Sequence, residues 1–397
     1  MVVRYFCRCL TCGHAHTLRI AMGHAITQQH TFPCGGCEQD MTIDVLQHRE
    51  SANCDITCAV NCEVGSEEGL IVNLHPDFPI PEDQLHVDRA FPWLEHVRAI
   101  GEKQSELGSN MPPFRSLEDF RLQMQSIQTH EQRWAVVRKA WSLTRSGKDT
   151  LAAEEIAKYR FGPGAAGKGL EDLLFDFCGH LLQSKTSLYD GAFETLKASF
   201  RINRREVSSL ALHYREYWQT DHLDRYFDIF SQYFRDFGEF SQTLLMCQYD
   251  IPLNPDEHAS SQSFPRTKMF YGNGFEVFMS NIEVLACVNN VLSGRSFDQF
   301  ATMNLAKYST INKAGRAQTF MATKPFADFA SGINSSLRNG SHHGAIRLDT
   351  NQRNVLYRSG GTGAENKMKY VEYLRLCSDL MLRLGALLMF ELALAQN

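Results

Sequence analysis

From residue 130 onward, apolar side chains recur every three or four positions across 130 to 146, 150 to 160, 169 to 184 and 186 to 200. This spacing predicts amphipathic helices. The second half continues the pattern over about 203 to 218, 220 to 247, 272 to 293 and 366 to 396, with a shorter stretch at 325 to 337. Tyr226, Phe230, Tyr233 and Phe237 make one stripe, and Leu374, Cys377, Met381, Leu384 and Leu388 another. Stripes of this kind bury against each other, and four long faces closing together predict a helical bundle. Residues 2 to 6, 17 to 20 and 42 to 46 have short strand character instead. Between 63 and 115, Pro76, Pro79, Pro81, Pro92, Pro112, Pro113 and turn formers surround one candidate strand at Leu70–Leu74, which predicts a connecting region with little order of its own. Ser116-Leu117-Glu118-Asp119 offers a helix cap with an acid three residues on. Residues 345 to 348 and Asn354–Arg358 flank Asp349-Thr350-Asn351-Gln352 as a hairpin insertion. The expected class is mainly α. It comprises a small β domain at 1–50, an irregular connection at 51–115, a middle helical region at 116–200 and a helical bundle at 201–397.

Composition narrows the chemistry. A chain of 397 residues, 43% hydrophobic and 21% charged, is long enough for two or three domains with a substantial core. A formal net charge of −5 argues against a general coat for nucleic acid, which needs a basic surplus, but leaves room for a local basic cleft. Arg4, Arg8 and three cysteines precede any apolar run, which argues against a secretory signal. Asp379, Arg383 and Glu391 interrupt the final apolar stretch, so no bilayer span is expected there. These features predict a cytoplasmic protein without membrane association.

Eight of the twelve cysteines fall in the first 62 residues. Cys9-Leu10-Thr11-Cys12-Gly13 and Cys34-Gly35-Gly36-Cys37 are two CxxC knuckles with 21 residues between them. Two tight turns of this kind can each present two thiolates to one tetrahedral zinc ion, as in a zinc ribbon. A domain this small has little core, so the metal is expected to supply much of its folding energy. Cys7 could replace Cys9, and His14, His16 and His30 are further ligand candidates; the competing reading is a disulfide or redox pair. With four thiolates the zinc would be structural, having no open position for substrate. Cys54, Cys58 and Cys62 recur every four residues, as on one face of a helix, and read either as packing or as a second metal site with His48 or a neighbouring chain. Cys178, Cys247, Cys287 and Cys377, in apolar contexts, read as core residues.

The densest local chemistry lies at Arg338-Asn339-Gly340-Ser341-His342-His343, after the apolar run Phe326, Phe329, Ile333, Leu337 that would carry the arginine to a helix end. Arginine supplies a permanently charged fork that matches a phosphate, and histidine moves a proton near neutral pH. The block Leu337-Arg338-Asn339-Gly340-Ser341-His342-His343 resembles the signature of the HEPN superfamily (higher eukaryote and prokaryote nucleotide-binding domains): Arg, usually Asn, three variable residues and His after a helix. The resemblance covers roughly 204 to 397, and outside the motif it rests on pattern rather than identity.

The resemblance implies a HEPN-like helical bundle and a metal-independent endoribonuclease. Arg338 would hold the scissile phosphate and stabilise its transition-state charge. His343 would act as general acid or base, Asn339 would orient the pair, and His342 would be auxiliary. Attack by the ribose 2′-hydroxyl would leave a 2′,3′-cyclic phosphate and a 5′-hydroxyl, and DNA would be spared. A homodimer would build the composite cleft. Members of the family act in antiviral defence or as toxins, so an antitoxin or a phage-derived trigger is an implied partner. Two rival readings are a non-catalytic HEPN scaffold and a zinc-ribbon regulator that binds nucleic acid without turnover. One near-match is rejected: Gly162-Pro163-Gly164-Ala165-Ala166-Gly167-Lys168-Gly169 approaches a P-loop but ends in Gly where Ser or Thr should hold magnesium, and follows a helical stretch rather than a strand.

Overall fold

The computed structural model describes all residues except 23–25, 49–52, 75–77, 107–128, 163–168, 255, 261–262, 350–352, 359–362 and 397. The Ser116 cap and most of the P-loop-like stretch fall outside the described residues. With 57% helix and 19% strand, the protein mixes α and β, which corrects the mainly α expectation.

The division along the chain is corrected too. Two compact units interleave in sequence: one comprises Met1–Lys103, Asp236–Tyr271 and Ser336–Ser378, the other Gln104–Arg235, Gly272–Ser335 and Asp379–Asn397. Local periodicity finds helices but carries no information on which distant segments share a core. The helices Phe264–Asn281 and Tyr370–Ala395 each contribute to both units.

In the first unit the strands β1 (Val2–Cys9), β2 (Ala15–Ala21), β3 (Thr27–Pro33), β4 (Asp40–Gln47), β5 (Cys54–Val60), β6 (Cys62–Val64) and β7 (Leu70–Leu74) follow one another. β6-β1-β2-β7 form one sheet, with Arg89–Ala90 also pairing β1, and β3-β4-β5 a second. The stretch expected to be irregular thus holds β5, β6, the expected strand Leu70–Leu74, the short strands Ile80–Pro81 and Arg89–Ala90, and the helix Pro92–Glu106. Its prolines and turn residues mask the signal, because β7 gains its partner at long range, running parallel to β2 with His16 opposite Leu70 and Ile20 opposite Leu74. Gly69 permits that approach, since a Cβ there would sit 1.9 Å from the Ala15 carbonyl oxygen. Leu18, Ile20, Phe32, Met41, Ile43, Val45, Val72 and Leu74 fill the core of this region.

Further along the same unit, the hairpin at Ile346–Leu348 and Asn354–Arg358 gains a third strand, Glu365–Lys369. The final helix accordingly begins at Tyr370, not 366. The expected helix at 325 to 337 is two: Lys324–Ala330 and Ser335–His342, separated by Gly332 with φ +74°. A residue of that conformation ends a helix.

The second unit is helical. Thr129 caps His130–Arg145 reciprocally with Gln132. Trp134 packs against Phe177, Phe230 and Phe234 with ring centroids 5.2 to 6.0 Å apart. Asp149–Ile156, Leu170–Leu182 and Ser187–His213 follow, and a π-helical turn, Tyr214–Trp218, leads into Gln219–Arg235. The single helix expected over 220 to 247 breaks at Asp236, after which Phe237–Gln248 belongs to the first unit. The stretch Phe264–Leu292 is long and apolar enough to cross a bilayer, and 78% of its qualifying 18-residue window is buried inside the protein.

Candidate functional site

Four cysteines converge at the edge of the β1–β2 and β3–β4 hairpins. Cys9 ends β1 and Cys12 follows in the turn to β2, where Gly13 adopts φ +74°. Cys34 and Cys37 occupy the turn between β3 and β4, where Glu38 adopts φ +60°. All four sulfurs lie within 4.8 Å of one another, with Cys9 to Cys37 at 3.8 Å and Cys12 to Cys34 at 3.5 Å. A tetrahedral ion with metal–sulfur bonds of about 2.3 Å needs sulfur–sulfur edges of about 3.8 Å. The four cysteines are therefore close enough to bind a metal ion and consistent with structural zinc. Burial would raise the Cys9 thiol, but the backbone N–H groups of Cys12 and Thr11 outweigh it and bring it down to about 7. Burial moves Cys34 the other way, up to about 12, so the two thiols do not share one shift.

The alternative ligands have other work. His16, fully buried on β2, donates from Nδ1 to the His14 carbonyl at 3.1 Å and accepts at Nε2 from the Gly35 N–H at 3.1 Å. Burial pushes its pKa down to about 4, so it stays neutral and ties one knuckle to the other. His30 Nε2 contacts Gln28 Oε1 at 3.0 Å.

Cys54 and Cys58 lie on β5 and Cys62 on β6, not on a helix. A four-residue spacing keeps one face in a strand as well as in a helix, so the pattern alone does not choose. Cys62 Sγ donates to the Thr42 carbonyl at 3.1 Å, Cys58 Sγ lies 3.7 Å from the Tyr5 hydroxyl, and His48 pairs with Asp55. Burial pushes Cys62 up to about 11 and the neighbouring Cys7 to about 12. Cys7 and Cys62 are protonated packing thiols. Cys178, Cys247, Cys287 and Cys377 are buried in helices.

The arginine–histidine block lies in the first unit. Arg338 and Asn339 are half-buried inside Ser335–His342, and Leu337 is fully buried beneath them. Arg338 is thus mid-helix rather than at a helix end. Its Nη1 donates to Asn339 Oδ1 at 2.8 Å, which steadies the guanidinium. His342 ends the helix, His343 follows with its N–H donating to the Asn339 carbonyl at 3.0 Å, and both imidazoles are exposed. On a helix, residues four apart stack on one face, so His342 lies nearest in rotation to Arg338. His343, one residue further, leaves the helical path toward Gly344, whose φ is +68°.

Sequence reasoning missed the most polar core in the second unit. Glu391 is fully buried and accepts from Tyr226 Oη at 2.8 Å, Tyr214 Oη at 2.9 Å and His222 Nδ1 at 3.1 Å. His222 Nε2 faces Glu283 Oε1 at 3.3 Å, and the Trp218 ring stacks parallel to the imidazole. Burial alone would lower the His222 pKa, but the Glu391 and Glu283 carboxylates outweigh it and hold it at about 9, so an imidazolium sits between two carboxylates. A cleft of about 410 Å³ opens here. Its cations are already engaged: Lys313 pairs with Glu276 at 2.6 Å, and Arg316 binds the Ser309 carbonyl at 2.7 Å. The one sequence signal was a glutamate in the apolar last turns of the final helix.

No protein-family model matches the chain, and neither a curated protein nor a solved structure matches it.

Proposed function

We propose that the protein is a metal-independent endoribonuclease whose chemistry is carried by Arg338 and His343. The supporting observation is a guanidinium steadied by the adjacent Asn339, four residues before an exposed pair of histidines at a helix end. In this reading Arg338 binds the scissile phosphate as a permanently charged fork. One imidazole takes the proton of the ribose 2′-hydroxyl, the 2′-oxygen bonds to phosphorus, and the bond to the 5′-oxygen breaks as that oxygen receives a proton. The products are a 2′,3′-cyclic phosphate and a 5′-hydroxyl. One residue pair per chain makes a homodimer the natural way to complete the cleft, as the HEPN resemblance implies. The same reading assigns a structural zinc to Cys9, Cys12, Cys34 and Cys37.

The test is cleavage of mixed transfer and messenger RNA without magnesium by the wild type, Arg338→Ala, His342→Ala and His343→Ala, with mapping of the new ends. The expected result is cyclic-phosphate ends from the wild type, loss of roughly 100-fold or more for His343→Ala, and a smaller loss for His342→Ala. Cleavage that survives Arg338→Ala and both histidine variants would overturn the assignment. A reversed order of the histidines would move the proton-transfer role to the one on the arginine's face.

A further inference from the structure

The helix Ser187–His213 is interrupted at Asn203, whose φ of −151° and ψ of 86° leave the helical region. Asn203 Oδ1 accepts from the Glu206 N–H at 3.2 Å, so the asparagine caps a new helical segment. Around this break the five consecutive residues Arg201, Ile202, Asn203, Arg204 and Arg205 are all exposed. In an uninterrupted helix packed on one side, five successive residues sweep more than a full turn and bring at least one into the core. The break instead turns three guanidiniums outward within five residues. Among the described residues, the side chains of Arg201, Arg204 and Arg205 make no hydrogen bond or ion pair. Of the acids on the same element, Glu194 pairs with Lys197 at 2.7 Å, Glu206 Oε2 accepts from the Phe297 N–H at 3.1 Å, and Asp190 lies exposed in the first turn, away from the break.

Stability does not account for this arrangement. Arg204 and Arg205 open the new segment at its positive pole, where a basic residue costs about 0.3–1 kcal/mol. Arg201 shares the field of Glu194 with Lys197, Arg204 and Arg205 have no acid bonded to them, and the three like charges repel one another. A polyanion relieves both costs, because phosphates supply the missing partners and release their own counterions.

We infer that Arg201, Arg204 and Arg205 form a docking surface for the phosphate backbone of RNA. The choice of RNA among polyanions rests on the ribonuclease reading; the basic surface itself does not.

The test is fluorescence anisotropy with a single-stranded, 2′-O-methylated RNA, which binds but cannot be cleaved by 2′-hydroxyl attack. Wild type is compared with the triple variants Arg201→Ala/Arg204→Ala/Arg205→Ala and Arg201→Lys/Arg204→Lys/Arg205→Lys at 50 and 200 mM salt. Each phosphate contact contributes about 0.7 to the slope of log affinity against log salt for single strands, so three lost contacts flatten it by about 2. Raising salt fourfold should therefore weaken wild type about 20-fold more than the alanine variant, while the lysine variant follows wild type. Equal slopes for wild type and the alanine variant would overturn the surface. So would an alanine variant that keeps its RNA affinity but loses binding to phosphatidylserine vesicles. Cleavage of unmodified RNA is scored in parallel. Patch-dependent binding without cleavage would sink the nuclease reading and leave the surface standing; cleavage with patch-independent binding would do the reverse.

Discussion

Replacing Glu391 with glutamine removes the charge that holds His222 protonated while keeping the side chain's volume. Glu391 accepts from two tyrosines and the imidazole and is fully buried, so the substitution leaves an imidazolium in an apolar interior beside Glu283 alone. Breaking a buried pair by neutralising one partner costs about 3–5 kcal/mol. The pH dependence is the sharper signature. His222 titrates near 9 in the folded protein against about 6.5 when unfolded. Because its folded pKa is raised, its stabilisation is fully present below pH 6.5, declines above that, and is lost as pH passes through 9. The full contribution is about 3 kcal/mol. Urea unfolding of the wild type and Glu391→Gln, followed by circular dichroism at pH 6, 7, 8, 9 and 10, should give a gap of several kcal/mol at pH 6 that narrows by about 3 kcal/mol at pH 10. A gap that stays constant across this range, or a variant as stable as wild type at pH 6, would refute the buried imidazolium.

Three further outcomes follow from the first unit. Chelation, or Cys34→Ser, should expose residues 1 to 47 to limited proteolysis and lower bound zinc from one per chain toward zero; protease resistance indifferent to chelator would contradict a structural metal. His16→Ala should strand the Gly35 N–H at a cost of about 1–3 kcal/mol and weaken zinc binding about tenfold or more, read by competition with a chromogenic chelator, whereas unchanged affinity would show that the knuckles hold without their link. Gly69→Ala should destabilise by about 1–3 kcal/mol, because the added Cβ meets the Ala15 carbonyl oxygen; a neutral result in denaturant titration would mean that β7 shifts freely.

What the sequence made legible was local chemistry. The two CxxC knuckles could be read because each turn fixes its own pair of thiols, and the four sulfurs gather as the spacing implied. The helix at His130–Arg145 could be read because its apolar periodicity is short-range, whereas its Thr129 cap went unread. What escaped was long-range. The partner of β7 lies some fifty residues upstream, and nothing near Leu70 announces a parallel pairing. The Cys54, Cys58 and Cys62 spacing suits strand and helix alike, and only the neighbouring strands decide. Glu391 interrupts an apolar run, which argued against a membrane span; its three donors sit on segments more than 160 residues away, and no periodicity connects them. The placement of Arg338 inside a helix depended on the break at Gly332, which an apolar stripe running through 326 to 337 concealed.

The interleaving of the two units sets an order for biosynthesis. The strands that carry the four cysteines, with their parallel partner, are complete once Leu74 has been made, so the metal can be captured early. The helical unit lacks a segment until residues 379 onward emerge. At translation rates of about 5–20 residues per second, that interval lasts roughly 15 to 65 s. From the time they are made until its end, Tyr214 and Tyr226 lack their Glu391 partner, and a chaperone that shields nascent apolar surface has its longest opportunity there.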